Sequence, residues 1–183
     1  MTLLEALQGV PDYRKARGKR HPLWIILVTI VMGNLAGCWG NRPLATFASH
    51  YGEQIAALLE VEQSKMPSYS TFRRAHLYLD FEAFSDAFSH WMKQYHSVDE
   101  EVYAVDGKRI GQPIVGDDGK RRFVGLVSVF AQRQGITVEL AGLSESENSE
   151  IKVAQYLFEK LKLDGAIVTL DAAHTQKNAR AHS

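Results

Sequence analysis

The chain twice places an aspartate directly after a short apolar run, in VYAVDGKRI at residues 102–110 and in IVTLDAAHTQ at residues 167–176. Both runs are apolar at nearly every position, which is typical of central strands buried on both faces. Asp106 and Asp171 would then lie at the carboxyl edge of a sheet, where α/β folds usually form their sites. If the two strands are adjacent and parallel, the carboxylates face each other and repel unless they are protonated or share a cation. Because no thiolate set favours zinc, the sequence predicts an oxygen-ligated hard cation, Mg²⁺ or Mn²⁺.

Each aspartate also has a purely structural explanation. Asp106 precedes Gly107, and an Asp-Gly pair after a strand is often only a turn. Asp171 is followed by AAHTQKNAR, which has the pattern of a helix, and Asp is a favoured N-cap residue. Taken singly, these explanations are the stronger ones, whereas the matched placement of the two residues after similar strands favours a shared metal ion.

The composition is that of an ordinary globular protein. Of the 183 residues, 45% are apolar and 23% are charged, and the formal net charge is zero. The charge is uneven, because residues 1–50 contain six Lys or Arg residues against two acidic residues. This basic front end is a hint of a polyanionic partner, and a solvated surface patch explains it equally well.

Two features bear on the compartment. Cys38 is the one cysteine of the chain, so we expect no intramolecular disulfide and a reducing environment. The longest apolar stretch begins at Leu23 and is broken by Thr29, Gly33 and Asn34, which makes it too short for a confident membrane span of about 20 residues. We predict a buried helix there, no membrane association, and a cytoplasmic protein.

The pattern of apolar residues divides the chain near residue 98. Residues 1–97 have helical spacing throughout, interrupted by the basic loop GVPDYRKARGKRHP, and Ser70 is the expected N-cap of a helix that ends near Leu79. Residues 98–183 contain strand-like runs, a hairpin at QRQG, an amphipathic helix beginning near Asn148 or Ser149, and a last strand. The predicted fold is α+β: a helical domain at 1–97, then a mixed sheet of order β-β-β-α-β at 98–183.

Together these motifs resemble a known family. AVDGKRI, SENSEI and VTLDAAHTQK resemble the ISAs-group DDE transposases, also called H-repeat-associated proteins. The amino-terminal stretches LLEALQGVPDYRKARGKRHPLWIILV and PSYSTFRR are similar to the helical domain of that family. The resemblance covers essentially the whole chain and implies a partial RNase H-like fold in the second half. It also implies a bacterial, nucleoid-associated protein without a small-molecule substrate, whose partner is the DNA of insertion-element ends and which forms a possible homo-oligomer.

The resemblance assigns roles to individual residues. Asp106 and Asp171 match the first two metal-binding acids of two-metal phosphoryl transfer, which cuts and joins DNA strands. His174 and Gln176 fall in the family pattern beside the scissile phosphate, although His174 is as easily a helix-surface residue. Lys108 is either a phosphate contact or a solvated turn residue. Glu150 also falls in a family-like position, and its place in the first turn of a helix explains it without chemistry. The residues expected to contact DNA phosphates in the helical half are Arg14, Lys15, Arg17, Lys19, Arg20, Arg73 and Arg74.

The resemblance has one large departure. DDE chemistry uses a third acid, usually Glu, on a helix well beyond the second aspartate, and this chain stops twelve residues after Asp171. We therefore expect an incomplete or inactive fragment of a DNA transposase, with one face of its sheet left uncovered. The alternatives are a non-catalytic DNA-binding or interaction remnant and, as a weaker one, a stand-alone RNase H-like nuclease that recruits Glu150.

Overall fold

A computed structural model of the chain describes residues 1–62, 65–96, 102–115, 121–143, 150–161 and 165–170. The chain forms two compact units, unit 1 (Met1–Ala87) and unit 2 (Phe88–Ser183). This division falls inside a helix. Residues 97 and 98, where the sequence analysis placed the domain boundary, lie outside the described residues, so that boundary stays a prediction.

Unit 1 is built from helices, as predicted. Their bounds are α1 Leu3–Gln8, α2 Leu23–Leu35, α3 Asn41–Leu58, α4 Tyr69–Tyr78 and α5 Phe81–Met92, with a short 3₁₀ turn at Ala16–Gly18 and with the end of α5 in unit 2. A capping box begins α1, because Thr2 Oγ1 accepts from the Glu5 N–H at 3.1 Å and Glu5 Oε2 accepts from the Thr2 N–H at 2.7 Å. The N-cap of α4 is Ser68 rather than Ser70, because the backbone is already helical at Tyr69.

The apolar stretch from Leu23 forms the buried helix that the sequence predicted. One side of α2, with Leu23, Leu27 and Val28, packs in a cluster with α1 and the first turns of α5. Another side packs through Ile26 against buried residues of α3 and α4. Thr29 is the polar exception, and its hydroxyl donates to the Ile25 carbonyl at 2.7 Å. Within the part of the chain that the structure describes, no helix is long and apolar enough to cross a membrane.

The other helices of unit 1 pack closely around α2. The buried stripe of α3 consists of Leu44, Ala48, Gly52 and Ile55, at a spacing that keeps it on one face of the helix. Gly33 of α2 allows the close approach, because a Cβ atom there would meet Leu44 Cδ2 at 2.5 Å.

Unit 2 contains a four-stranded mixed sheet of the predicted order. The elements are β1 Val102–Val115, β2 Arg121–Ala131, β3 Ile136–Leu143, α6 Glu150–Leu161 and β4 Ile167–Leu170. In space the strands lie in the order β3-β2-β1-β4. The predicted hairpin joins β2 to β3, and β1 pairs with β2 antiparallel and with β4 parallel. The fold class is thus α+β with a mixed sheet, and its RNase H-like character stays a prediction.

Helix α6 covers one face of this sheet. Val153, Ala154 and Leu157 of α6 are buried against β1, β2 and β3, and Tyr103 and Val105 are the β1 residues in that cluster. On the opposite face, Phe130 is 37% exposed and Ile167 is 61% exposed. Among the described residues, this second face is therefore only partly covered, and the expectation that it is left uncovered in the whole chain stays a prediction.

A buried carboxylate links three elements on the covered face. Glu139 of β3 has no exposed surface, and its Oε1 accepts a hydrogen bond from the Ser89 hydroxyl of α5 and one from Lys160 Nζ of α6 at 3.3 Å. Ser89 is itself buried. Because a charged group in the interior depends on its donors, these two bonds hold the end of α5 and α6 to the sheet.

We predict that Ser89→Ala destabilises the protein by about 1–3 kcal/mol, since Glu139 then loses a buried donor that water does not replace. Urea unfolding followed by circular dichroism measures the change. Ser49→Ala is the matched control, because Ser49 is an exposed serine of α3 and the change in helix propensity is the same. Equal stability of the two variants would contradict the structural role of the Ser89–Glu139 bond.

Candidate functional site

Asp106 lies within β1, not at its end. The strand continues for nine residues beyond it, with Asp106 paired to Ser128 and Gly107 paired to Val127 of β2. The strand-tip placement predicted for Asp106 is therefore wrong. The alternative of an Asp-Gly turn is also wrong, because both Asp106 and Gly107 are paired with residues of β2. The described pairing of β1 with β4 ends just before Asp106, at the pair of Val105 with Leu170.

The side chain of Asp106 is on the sheet face away from α6. Tyr103 and Val105 are buried under α6, and side chains alternate along a strand, so Asp106 is on the other face, where it is exposed. Ser128 Oγ donates to the Asp106 carbonyl at 3.4 Å. Lys108 is exposed and lies two residues along the same face.

Thr169 of β4 is polar and lies on the same sheet face as Asp106. It pairs with Ala104, its hydroxyl donates to the Tyr103 carbonyl at 3.1 Å, and it accepts from Gln132 Nε2 at 3.1 Å. These bonds fix the alignment of β4 beside β1. The face around Asp106 thus combines a carboxylate, a lysine and hydroxyl groups.

The other predicted site residues of unit 2 lie wholly or partly outside the described residues. Asp171, His174 and Gln176 lie outside the described residues. Glu150 is the first residue of α6, which agrees with its predicted position in a first helical turn, and its side chain also lies outside the description. The roles assigned to these four residues stay predictions.

The chemistry of Asp106 fits one ligand of a hard cation. Its exposed carboxylate supplies the oxygen donors that Mg²⁺ and Mn²⁺ prefer, and it lies on a polar part of the sheet. Among the described residues no three His, Cys, Asp or Glu side chains form a group that would hold a metal ion. The predicted second acidic ligand, Asp171, lies outside the described residues.

The basic loop of unit 1 is organised by an internal ion pair. Arg14 Nη2 lies 2.8 Å from Asp12 Oδ2, and Arg14 Nε donates to Asp12 Oδ1 at 2.8 Å. The same guanidinium donates to the carbonyls of Gly18 at 3.2 Å and His21 at 2.7 Å. Hydrogen bonding from Arg14 lowers the pKa of the Asp12 carboxyl, although partial burial opposes this shift.

This geometry corrects the prediction for Arg14. Its side chain is 11% exposed and its donors are engaged within the loop, so it closes the loop rather than facing solvent for a phosphate. The pattern DYRKARGKR did not distinguish Arg14 from its neighbours. Asp12, two residues earlier, is the signal that could have distinguished it, because Arg and carboxylate groups frequently form bidentate pairs.

Five of the other predicted cations of unit 1 are at the surface. Lys15, Lys19 and Arg20 of the loop are exposed, whereas the side chain of Arg17 lies outside the description. Arg73 and Arg74 are exposed on α4. The loop is attached to α4 because the Tyr13 hydroxyl donates to the Arg74 carbonyl at 3.1 Å and the Tyr13 ring lies 6.4 Å from that of Tyr78. Two basic segments far apart in sequence therefore meet, and we call them the loop–α4 surface.

The sequence analysis missed a pocket on the outer side of α3. Two neighbouring rows of side chains line it: Arg42, Thr46 and His50 in one row and Pro43, Phe47 and Tyr51 in the next, with Cys38 at one end. Its volume is about 510 Å³. We call it the ring pocket. The sequence carries a signal for it, because four-residue spacing puts Pro43, Phe47 and Tyr51 in a row beside the buried stripe of α3.

Comparison with known proteins gives a family match for the helical half. Residues 4–92 match the family described as DDE_Tnp_1-associated. No solved structure matches the chain.

The chain is also similar to curated proteins of Escherichia coli over nearly its whole length. It is 26% identical over 178 residues to "H repeat-associated putative transposase YhhI" of strain K12. The aligned residues cover 96% of this chain and 46% of that protein. It is 28% identical over 179 residues to "Putative transposase YncI" of O157:H7, with 97% and 45% covered. For "H repeat-associated putative transposase YbfD" of K12 the identity is 25% over 177 residues, with 96% and 69% covered. The chain thus spans about half the length of the first two relatives.

We predict that the Asp12–Arg14 pair makes stability depend on pH in the acid range. The pKa of Asp12 in the folded chain is below its ordinary value of 3.8. The contribution of the ionised carboxylate is therefore complete above that value and is lost as the pH falls through the lower folded pKa. Melting temperatures of the wild type and Asp12→Asn should differ at pH 6 and converge as the pH falls below the lowered pKa of folded Asp12.

Glu53→Gln serves as the control, because Glu53 is an exposed residue of α3. A difference between the wild type and Asp12→Asn that is the same at every pH would contradict the assignment of this titration to Asp12.

Proposed function

The family match and the relatives together support a DDE transposase family N-terminal part, and from this premise we propose that the chain engages the DNA of an insertion element. The observation that carries the proposal is similarity to proteins named as transposases over at least 96% of the chain. In this proposal unit 1 binds DNA phosphates, and the sheet of unit 2 carries two acids of a metal-dependent site for strand cleavage and transfer.

The proposed metal site consists of Asp106 and Asp171. The parallel register pairs Val105 with Leu170, and these residues directly precede the two aspartates in sequence. One further step of the same pairing would bring the two carboxylates to the same face of the sheet, because alternate residues share a face. When bound there, divalent cations activate the attacking oxygen and stabilise the leaving one.

The other residues proposed for this site act on the DNA substrate. Lys108, which is exposed on the face of Asp106, is proposed to pair with a phosphate of the strand. His174 and Gln176 are proposed to contact the scissile phosphate. The cation itself binds carboxylate oxygens, so the role of the lysine is to hold the DNA and to lower the repulsion between phosphate and acids.

The proposed duplex contact is the loop–α4 surface without Arg14. Lys15, Lys19 and Arg20 are exposed on the loop, and Arg73 and Arg74 are exposed on the helix to which Tyr13 attaches it. Cations grouped in this way neutralise neighbouring phosphates and release counterions, so the affinity should fall steeply as salt is added.

We expect the Lys15→Ala, Arg20→Ala double variant to bind a duplex of about 20 base pairs more weakly than wild type. The slope of log affinity against log salt should decrease in magnitude by about 2, since each lost phosphate contact removes roughly 0.9. Fluorescence anisotropy between about 50 and 200 mM salt measures both quantities. The matched control is Lys93→Ala, Arg133→Ala, which removes the same charge from exposed positions outside the loop–α4 surface. Equal slopes for the two double variants would refute the proposed contact.

For the metal site, we expect Asp106→Asn and Asp171→Asn each to weaken Mn²⁺ binding on the order of tenfold, because each removes a charged oxygen ligand. Electron paramagnetic resonance of free Mn²⁺ gives the affinity without requiring any activity. Glu159→Gln, an exposed carboxylate of α6, is the control. Unchanged affinity in both aspartate variants, together with retained DNA binding, would instead fit a non-catalytic DNA-binding protein.

A further inference from the structure

The ring pocket differs in chemistry from the loop–α4 surface. Phe47 and Tyr51 lie next to each other with ring centroids 5.1 Å apart, and the His50 ring is 5.8 Å from that of Tyr51. Tyr51 is 49% exposed, so one of its faces is available for a ligand. Trp39, which follows Cys38 at the end of the pocket, is 72% exposed. Here two of these rings lie side by side in a concave surface, an arrangement that suits stacking on a flat ligand.

The lining of the pocket also carries positive charge without negative charge. Its lining contains the guanidinium of Arg42 and no carboxylate. The chain has no acidic residue at all between residues 14 and 52, a range that includes all of α2 and most of α3. The nearest acid along α3, Glu53, lines a different concavity. The electrostatic potential at the pocket is therefore suited to an anion, and the rings beside it are suited to a flat apolar group.

We propose that the ring pocket binds an unpaired nucleobase of single-stranded DNA, with the adjoining phosphate on Arg42. The inference rests on the proposed function, since it specifies which form of DNA this part of unit 1 binds. An unstacked base has a flat face to lie on Tyr51 or Phe47, and its strand places a phosphate within one nucleotide of that base. The volume of about 510 Å³ lies in the range of small-molecule pockets.

Duplex DNA does not fit the same chemistry. In a duplex the flat faces of the bases are stacked on each other, and only base edges and phosphates are accessible. The row of Pro43, Phe47 and Tyr51 would then have no partner. An apolar protein segment would cover the row of Pro43, Phe47 and Tyr51. It would supply no anion for the neighbouring row, which contains Arg42, Thr46 and His50. An unpaired base with its phosphate matches both rows.

The test compares a fluorescently labelled 12-nucleotide oligo(dT) with a blunt duplex, both on the full chain. Tyr51→Leu keeps an apolar side chain and removes the ring, and we expect it to weaken oligo(dT) binding on the order of tenfold while duplex affinity stays unchanged. Tyr51→Phe should retain binding, because it keeps the ring. Tyr156→Leu, which changes an exposed tyrosine of α6, is the matched control and should have no effect.

A second measurement does not depend on how the variants fold. An oligonucleotide that carries 5-iodouracil is cross-linked to the wild-type chain by light, and the modified peptide is identified by mass spectrometry. We expect the cross-link at Tyr51, Phe47 or Trp39. Equal oligo(dT) affinity in the wild type and Tyr51→Leu, with cross-links elsewhere, would overturn the inference.

The failure of this inference is distinguishable from that of the proposed function. If duplex binding is salt-dependent and requires Lys15 and Arg20, but Tyr51→Leu leaves oligo(dT) binding unchanged, only the inference about the ring pocket is overturned. Binding of oligo(dT) that requires Tyr51, without duplex binding, supports the pocket and overturns the loop–α4 surface. A change in sedimentation of Tyr51→Leu with unchanged oligo(dT) affinity would mean that the pocket contacts protein, and would also overturn the inference.

Discussion

The architecture of unit 1 depends on one constraint, the burial of α2. A helix of thirteen residues without a charged side chain exposes apolar surface in every direction, and each buried apolar side chain contributes about 1.5–3 kcal/mol. Such a helix is stable in water only if other helices cover it on several sides. The packing of α1, α3, α4 and the first turns of α5 around α2 follows from this requirement. Their polar sides are thereby turned outward, and the exposed cations and rings lie on those sides.

A similar argument explains the two faces of the sheet in unit 2. Helix α6 has one apolar side, which covers one face, with β1 and β2 contributing alternate residues such as Val105, Val127 and Val129. The other face receives the intervening residues, and Asp106, Lys108 and Ser128 follow from the same alternation. A carboxylate under α6, such as Glu139, is shielded from solvent and is held by its protein donors. The proposed metal site is therefore on the partly covered face, where Asp106 is exposed.

Much of this fold was predictable from sequence, because apolar periodicity reports directly on which side of an element is buried. It gave the helices, the strand order along the chain and the adjacent parallel strands β1 and β4. It did not give the position of Asp106 inside β1. A run of apolar residues ends where the side chains cease to be buried, whereas a strand ends where its backbone hydrogen bonds end. Apolar periodicity also failed at Glu139. Simple alternation in ITVELAG places Val138 and Glu139 on opposite faces, but a register shift opposite Val129 and Phe130 lets both be buried.

The candidate site was less predictable, because it depends on contacts between distant segments. The sequence identified the basic residues of the loop, but only the Tyr13–Arg74 hydrogen bond shows that they meet α4. The sequence likewise did not single out Tyr51, whose exposed ring lies on the outer side of α3. The two surfaces of unit 1 differ in a way that charge counting cannot detect: one groups several exposed cations from two segments, and the other combines adjacent rings in a pocket with one guanidinium. In the proposed function, the first surface would hold the paired part of a DNA end and the second an unpaired nucleotide, because cations neutralise phosphates and aromatic rings stack on exposed bases.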